Sequence, residues 1–552
     1  MARIDRQTNL EGVKRQQNWV FPLILLVFWG VCSWPSIAFE SPYGKHQWRQ
    51  CDAYSMALNY FHEDLEFFRP EMHFQHGNGT GSGAAVGEFT ATYWLNAKAW
   101  KIFGLQPFTM RWTHMFLWLL GCWALFALGR NLFGPMRSAF ATTFVLASPL
   151  IVFYAPSYLV NVSAMGMVFV GWWASWRILK GKRTHFFMEV ILFIALSLSV
   201  LLRPTMVLGW LPIAVWAFAR GRTLSWLPRL AAPLALGIVW VLWSKAVNFD
   251  AGSLYFLTSV RPLWGAEEIG SVWQSFREDV LPEWYHLYVR VSMFAALVAV
   301  FCLKRKNTSE PDSLQLRRTE RNGVCLTQLI LLMVLGLSVY FVLWFENLDV
   351  HDYYLIEFQL LTPLVIWWLM DRLDHIRLEK PRFHLVIWGV LIATLSFQLL
   401  ESHLRTRMKY VAPTGLLSEL ILTQRDRDIW SWFHWDQENR FAKFGELQKQ
   451  MRAYGIRRED RIVSVPDPSP NITLALLDQK GFTDLYDDNM KGDERIRFYV
   501  DKGAAYLVCN SSEWIKERAG SPWLTHPIIA IDNLVVFDLL NSESPLLYDA
   551  KK

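Results

Sequence analysis

Residues 18–38 read NWVFPLILLVFWGVCSWPSIA, and this stretch decides the fold. It carries no charged side chain. At about 1.5 Å of helical rise per residue it matches the ~30 Å hydrocarbon core of a bilayer. A polar, basic segment precedes it (Arg3, Arg6, Lys14, Arg15), and no small-residue cleavage site appears before Glu40. It is also too long for the apolar part of a signal peptide, so it reads as a retained first transmembrane helix.

Comparable runs recur to residue 400, near 109–129, 137–154, 158–178, 185–202, 205–219, 226–246, 287–303, 325–345, 353–371 and 383–400. About eleven spans follow, and the fold class is a polytopic α-helical membrane protein. Composition agrees: 53% of the 552 residues are hydrophobic, 29 are tryptophan and only 19% are charged, too few to cover a soluble protein of this length. The net charge of +6 does not point to nucleic acid, because the basic residues lie in short loops between apolar runs. Those loops are Arg130–Arg137, Arg177–Arg183, Arg220–Arg222, Lys304–Arg321 and Asp371–Arg382, together with the N-terminus. With eleven alternating spans all six fall on one side, which the positive-inside rule assigns to the cytoplasm.

The other side receives the larger pieces: a loop at 39–108, a second at 247–286, and everything after about 401. Within the first loop, HQWRQCDAYSMALNYF (46–61) reads as a helix. A Gly-rich stretch (76–87) follows, and then a second amphipathic helix within GEFTATYWLNAKAWKIFG, ending at Gly104. Both are expected to press on the outer membrane surface. Three regions result: a membrane domain over 1–400, a linker and helix over 401–440, and an extracytoplasmic α/β domain over 441–552. In the last, RIVSVP and AAYLVCN read as strands among helices, and a hairpin turns at Asp532–Asn533. It has no nucleotide-binding glycine loop. The six cysteines (32, 51, 122, 302, 325, 509) show no metal-ligand spacing. A Cys51–Cys509 bridge is the pairing the topology leaves open.

His46, Arg49 and Asp52 are spaced by three and share one helical ridge just outside the first span. A carboxylate there can accept the proton of an attacking hydroxyl or amine. Cations beside it would meet a phosphate leaving group and hold the carboxylate ionised. The same spacing equally describes a surface ion pair. Glu88 at the start of the second helix is a candidate second acid or an ordinary helix-start carboxylate. His62, His73 and His76, with Glu63, Asp64, Glu66 and Glu71, offer ligand types for a divalent metal ion, but at no recognisable zinc spacing. Arg111 and Arg203 sit at outer ends of spans, where a charge costs about 2.5–3.5 kcal/mol at mid-membrane and so usually serves a purpose. Lys245, His351, Asp352, Tyr353 and Tyr354 complete the outer polar set, with an interfacial aromatic belt as the plainer account of the tyrosines.

The ordered segments Trp48–Asp52, Glu88–Phe89, Arg203–Thr205 and His351–Tyr354 resemble motifs of the GT-C superfamily of membrane glycosyltransferases. The branch is that of protein O-mannosyltransferases and the lipid A aminoarabinose transferase, and the resemblance covers residues 1–400. It implies inverting transfer of a sugar from a polyprenyl-phosphate donor, outside a bacterial inner membrane, to a glycolipid, lipopolysaccharide, polysaccharide or protein. Asp52 would be the base and Glu88 the second acidic position. His46, Arg49, Arg111, Arg203, Lys245 and His351–Tyr354 would bind substrate. Two departures are visible: the family's E-F-P is E-F-T here, and Asn161 stands where an acidic residue is common. The main rival is a lipid or glycan transporter or flippase, which predicts intramembrane acids and inverted repeats. Intramembrane acids are few, and no clear repeat relates the halves.

Overall fold

The computed structural model describes residues 19–75, 82–181, 186–253, 260–265, 267–302, 326–379, 381–485, 490 and 492–541. The basic N-terminal segment, His76, Lys182, Arg183, the 304–321 loop and Cys325 lie outside the described residues.

The chain is a helical bundle with a small sheet near its C-terminus. Among the described residues five helical stretches are long and apolar enough to cross a membrane: Thr109–Phe133, Thr223–Asp250, Leu326–Leu343, Asp352–Leu373 and Leu385–Arg407. Asn161–Lys180 is a further continuous helix of 20 residues, and several other expected spans are shorter or interrupted. The first runs only from Val20 to Val31 and breaks at Ser33, whose φ is 59°. Pro35 has no N–H to carry the first helix on, but it fits the first turn of a new one, so the chain restarts as a single turn, Trp34–Ile37. Pro149 similarly divides the 137–154 run into Pro135–Leu146 and Pro149–Tyr154.

The bundle is tightest where Thr109–Phe133 crosses Asn161–Lys180. A Cβ on Gly121 would lie 2.3 Å from the Gly166 Cα, so two glycines let the backbones touch. Small residues at such crossings are how helices associate where lipid removes the hydrophobic drive. Gly134, at φ 93°, ends the first of these helices, and Pro135 starts the next.

The C-terminal sheet has five strands: β1 (Arg461–Val465), β2 (Gly481–Phe482), β3 (Ala504–Cys509), β4 (Pro527–Ile531) and β5 (Leu534–Asp538). Their order is β2-β1-β3-β5-β4. β1 runs parallel to β2 and β3, while β5 is antiparallel to β3 and β4. The β4–β5 hairpin turns at Asp532–Asn533, where Asp532 has φ 49°. Cys51 and Cys509 are both buried free thiols, so the bridge left open by the sequence is not formed.

The first large loop is built into the protein rather than standing apart from it. Its helix, Gln47–His62, is buried along most of its length and packs on the Ala91–Phe103 helix and on the Ile472–Leu477 helix that follows β1. The segment after it adds to the sheet's β2 edge: Phe74 pairs in parallel with Gly481, with Gln75 N–H donating to Gly481 O at 2.8 Å and Gly481 N–H to His73 O at 3.1 Å. Charges lock this junction. Arg458 meets Asp478 at 2.9 Å and Glu63 at 2.7 Å; His62 and His73 reach the same Asp478 at 3.0 and 2.9 Å. His62, His73 and Glu63, offered above as metal ligands, are thus spent on docking. Among the described residues no three His, Cys, Asp or Glu side chains gather as a metal site.

Candidate active site

Arg49 and Asp52 share the expected ridge on Gln47–His62, because three residues bring side chains to the same helix face. His46 leaves it. It precedes the helix with φ 55°, so its ring turns away to stack on His351, with centroids 5.6 Å apart and planes 10° apart. Glu88 lies before the second helix rather than at its start. That helix is Ala91–Phe103, and the Glu88 carboxylate is drawn off by partners elsewhere.

Those partners define the centre. Arg49 donates from Nη2 to Glu88 Oε1 at 2.7 Å, and the Tyr93 hydroxyl donates to Oε2 at 2.6 Å. The same guanidinium sends Nη1 toward Asp52 Oδ2, at a longer 3.5 Å. Asp52 is 2% exposed. Its Oδ1 accepts from Asn471 Nδ2 at 2.9 Å, and Oδ2 has no well-formed hydrogen bond, although the Trp48 indole lies beside the carboxyl. Burial pushes the Asp52 carboxyl up to about 7, against the pull of Arg49 and Asn471 and with a push from the Glu88 charge. A buried carboxyl balanced near neutrality, with one oxygen met only by a long ion-pair contact, suits proton transfer.

A divalent ion does not fit between Asp52 and Glu88, because Arg49 already occupies that place and both Glu88 oxygens are engaged.

Two further charge clusters adjoin the centre. Asp352 is fully buried, with Lys45 Nζ and His46 Nε2 each at 3.0 Å and the Tyr154 hydroxyl at 2.5 Å. Tyr353 meets His46 edge to face at 5.0 Å. Arg203 donates from Nε to Glu357 Oε1 at 2.8 Å, and its guanidinium lies 4.5 Å from the Tyr354 ring centre and 5.7 Å from that of Tyr353. Its Nη2 is buried without a partner among the described residues. Tyr353 therefore lies between Arg203 and the Asp352 cluster.

The other candidates are placed differently. Arg111 is fully buried and spends its guanidinium on the carbonyls of Glu40, Ser41 and Pro156 at 2.7–2.8 Å, pinning the 40–41 turn to the Thr109–Phe133 helix. Lys245 is exposed on the Thr223–Asp250 helix. Asn161 is buried, and neither side-chain polar atom has a partner among the described residues. Sequence reasoning passed over Lys45, Tyr93, Tyr154, Glu357 and Asn471. Lys45 adjoins a residue already singled out, but Asn471 lies 419 positions from the carboxylate it touches.

No family model and no curated protein matches the chain. Solved structures do. The crystal structure of ArnT from Cupriavidus metallidurans bound to undecaprenyl phosphate superposes with a TM-score of 0.56 at 12% identity, covering 95% of this chain and 98% of that one. The apo form of the same protein gives 0.50 at 13% identity, covering 94% and 96%. At such identity the likeness concerns the fold alone: the chain is built like ArnT over nearly its whole length.

Proposed function

We propose that this chain is an inverting glycosyltransferase drawing its sugar from a polyprenyl-phosphate carrier, with Asp52 as the general base. The observation that carries the reading is the state of the Asp52 carboxyl: buried, oriented through Oδ1, facing only the longer Arg49 contact at Oδ2 and held at about 7. The acceptor's hydroxyl or amine would give its proton to Oδ2 as its oxygen or nitrogen bonds to the anomeric carbon. The bond from that carbon to the phosphate oxygen breaks on the opposite face, and its electron pair leaves on the polyprenyl phosphate. That leaving group is a stable anion and needs no acid, so one carboxylate suffices where a glycosidase employs two.

Arg203 is assigned to the phosphate, because it stands beside the Asp352 cluster with a buried Nη2 that has no hydrogen-bond partner among the described residues. Fixed positive charge in a dry site is the strongest way to stabilise a developing phosphate anion. Glu88 is assigned to holding Arg49 rather than to proton transfer, since Arg49 and Tyr93 take both its oxygens. The donor class is supported by the fold neighbour bound to undecaprenyl phosphate. The acceptor is a hydroxyl- or amine-bearing glycolipid, polysaccharide or protein, met on the outer side of a bacterial inner membrane by the charge pattern of the loops.

Asp52→Asn in membranes supplied with a polyprenyl-phosphate-linked sugar is expected to abolish transfer while undecaprenyl phosphate still binds. Full activity in that variant refutes the base assignment.

A further inference from the structure

We infer that the C-terminal domain is part of the active site, and that it supplies Asn471 as the positioning residue that orients the Asp52 carboxyl. The inference rests on the reading of Asp52 as the base. Three observations carry it.

The first is that Asn471 forgoes its local role. It stands at the N-cap of the Ile472–Leu477 helix, where an asparagine side chain ordinarily turns back to accept from the helix's own N–H groups. Here it makes no such cap. Its Nδ2 reaches Asp52 Oδ1 at 2.9 Å, and its Oδ1 accepts from Phe74 N–H at 3.2 Å and Ser55 Oγ at 3.3 Å.

Secondly, Asn471 is fully buried, so every partner it has is a chosen one. The loop that carries it is braced from within. Asp467 accepts from Ser469 N–H and Oγ through one oxygen and from Thr473 N–H and Oγ through the other, at 2.6–2.9 Å. This loop leaves the C-terminal end of β1, between β2 and β3, at the point where the strand order reverses. Open α/β sheets present their functional loops there.

The third observation is the asymmetry that results. With Oδ1 tied to Asn471, the carboxyl plane is fixed and Oδ2 is the oxygen left to receive a proton. The charged and titratable groups around Asp52 are Arg49 and Cys51 on its own helix, and Glu88 and Tyr93 from the second loop helix region. Of the groups that bond or pair with its carboxyl oxygens, Asn471 alone comes from the C-terminal domain.

Two variants separate positioning from docking. Asn471→Asp keeps an acceptor for Phe74 N–H and Ser55 Oγ but replaces the donor with a second carboxylate. Asn471→Ala removes both halves. The carboxyl band of Asp52, assigned by its loss in Asp52→Asn, can be titrated by infrared difference spectroscopy on the full chain in nanodiscs. A hydrogen bond to a carboxylate is worth enough that its loss raises the midpoint by about one pH unit. Asn471→Ala is therefore expected to titrate about one unit higher, and Asn471→Asp higher still. Sugar transfer at pH 7 should fall about fivefold in Asn471→Ala and recover by pH 9, a rescue that lost packing would not show. Undecaprenyl phosphate should bind both variants as it binds wild type. An unchanged midpoint in Asn471→Asp, with amide exchange over 72–75 at the wild-type rate, overturns the inference. Active Asp52→Asn overturns the base reading instead, so the two failures are distinguishable.

Discussion

Asp52→Asn should inactivate the protein and stabilise it, and the gain should depend on pH. The carboxyl rises from an ordinary 3.8 to about 7 on folding, with burial the largest cause. Each pH unit of difference is worth about 1.4 kcal/mol, so the whole displacement amounts to about 4 kcal/mol. Below pH ~4 the folded and unfolded chains both hold the proton, and the neutral asparagine brings no advantage. Between about 4 and 7 the unfolded chain releases its proton while the folded chain keeps it, and the wild type steadily loses stability relative to the variant. Above 7 the deficit levels off. Asparagine has the same shape and keeps a carbonyl oxygen for the Asn471 amide, and the lost attraction to Arg49 is already contained in the net displacement. Thermal unfolding of both proteins in the same detergent at pH 4.5 and pH 8 measures this. Near coincidence at the lower pH and a variant several degrees more stable at the higher one is the expected result. A variant less stable at pH 8, or a difference that ignores pH, refutes the claim that folding holds this carboxyl in an uncomfortable place.

Two other substitutions test the surroundings. Arg203→Ala should weaken undecaprenyl phosphate binding about tenfold or more, since a charge-assisted contact to phosphate is worth roughly 1.5–3 kcal/mol; titration calorimetry in nanodiscs reads it, and unchanged affinity removes Arg203 from the phosphate site. Arg458→Ala removes the cation shared by Asp478 and Glu63 while Lys480, His62 and His73 remain, which should cost about 1–2 kcal/mol at the docking junction. Hydrogen exchange should quicken at the paired amides of Gln75 and Gly481, and protection equal to wild type would show that the backbone pairing holds the junction by itself.

The reach of the sequence can be read from particular residues. Membrane character was legible because long apolar runs report burial in lipid directly. Continuity was not: Pro35 and Pro149 break helices that hydropathy, being blind to backbone geometry, joins into single spans. Arg49 and Asp52 were legible because helical spacing is local. The diversion of His46 was hidden, since its positive φ is imposed by Asp352 and His351, some 300 residues later. Arg111 looked like a phosphate ligand because the three carbonyls that engage it become its neighbours only on folding. His62 and His73 looked like metal ligands for the same reason, with Asp478 out of view.

Competition for Arg49 explains why Asp52, rather than a neighbouring acid, is fitted to be the base. One guanidinium faces two carboxylates, and Glu88 takes the shorter contact, 2.7 Å against 3.5 Å. Glu88 also receives the Tyr93 hydroxyl, so its charge is answered on both oxygens. Asp352 is answered by Lys45, His46 and Tyr154. Glu357 holds Arg203 and Thr205 on one oxygen. Asp52 alone is left with a neutral amide on one side and a distant cation on the other, which is why burial prevails there and lifts the carboxyl toward 7. Had Arg49 closed on Asp52, the carboxylate would be too weak a base at neutral pH; without Arg49 it would stay protonated. A cation shared unequally, together with an amide lent by another domain, keeps the carboxyl between those limits.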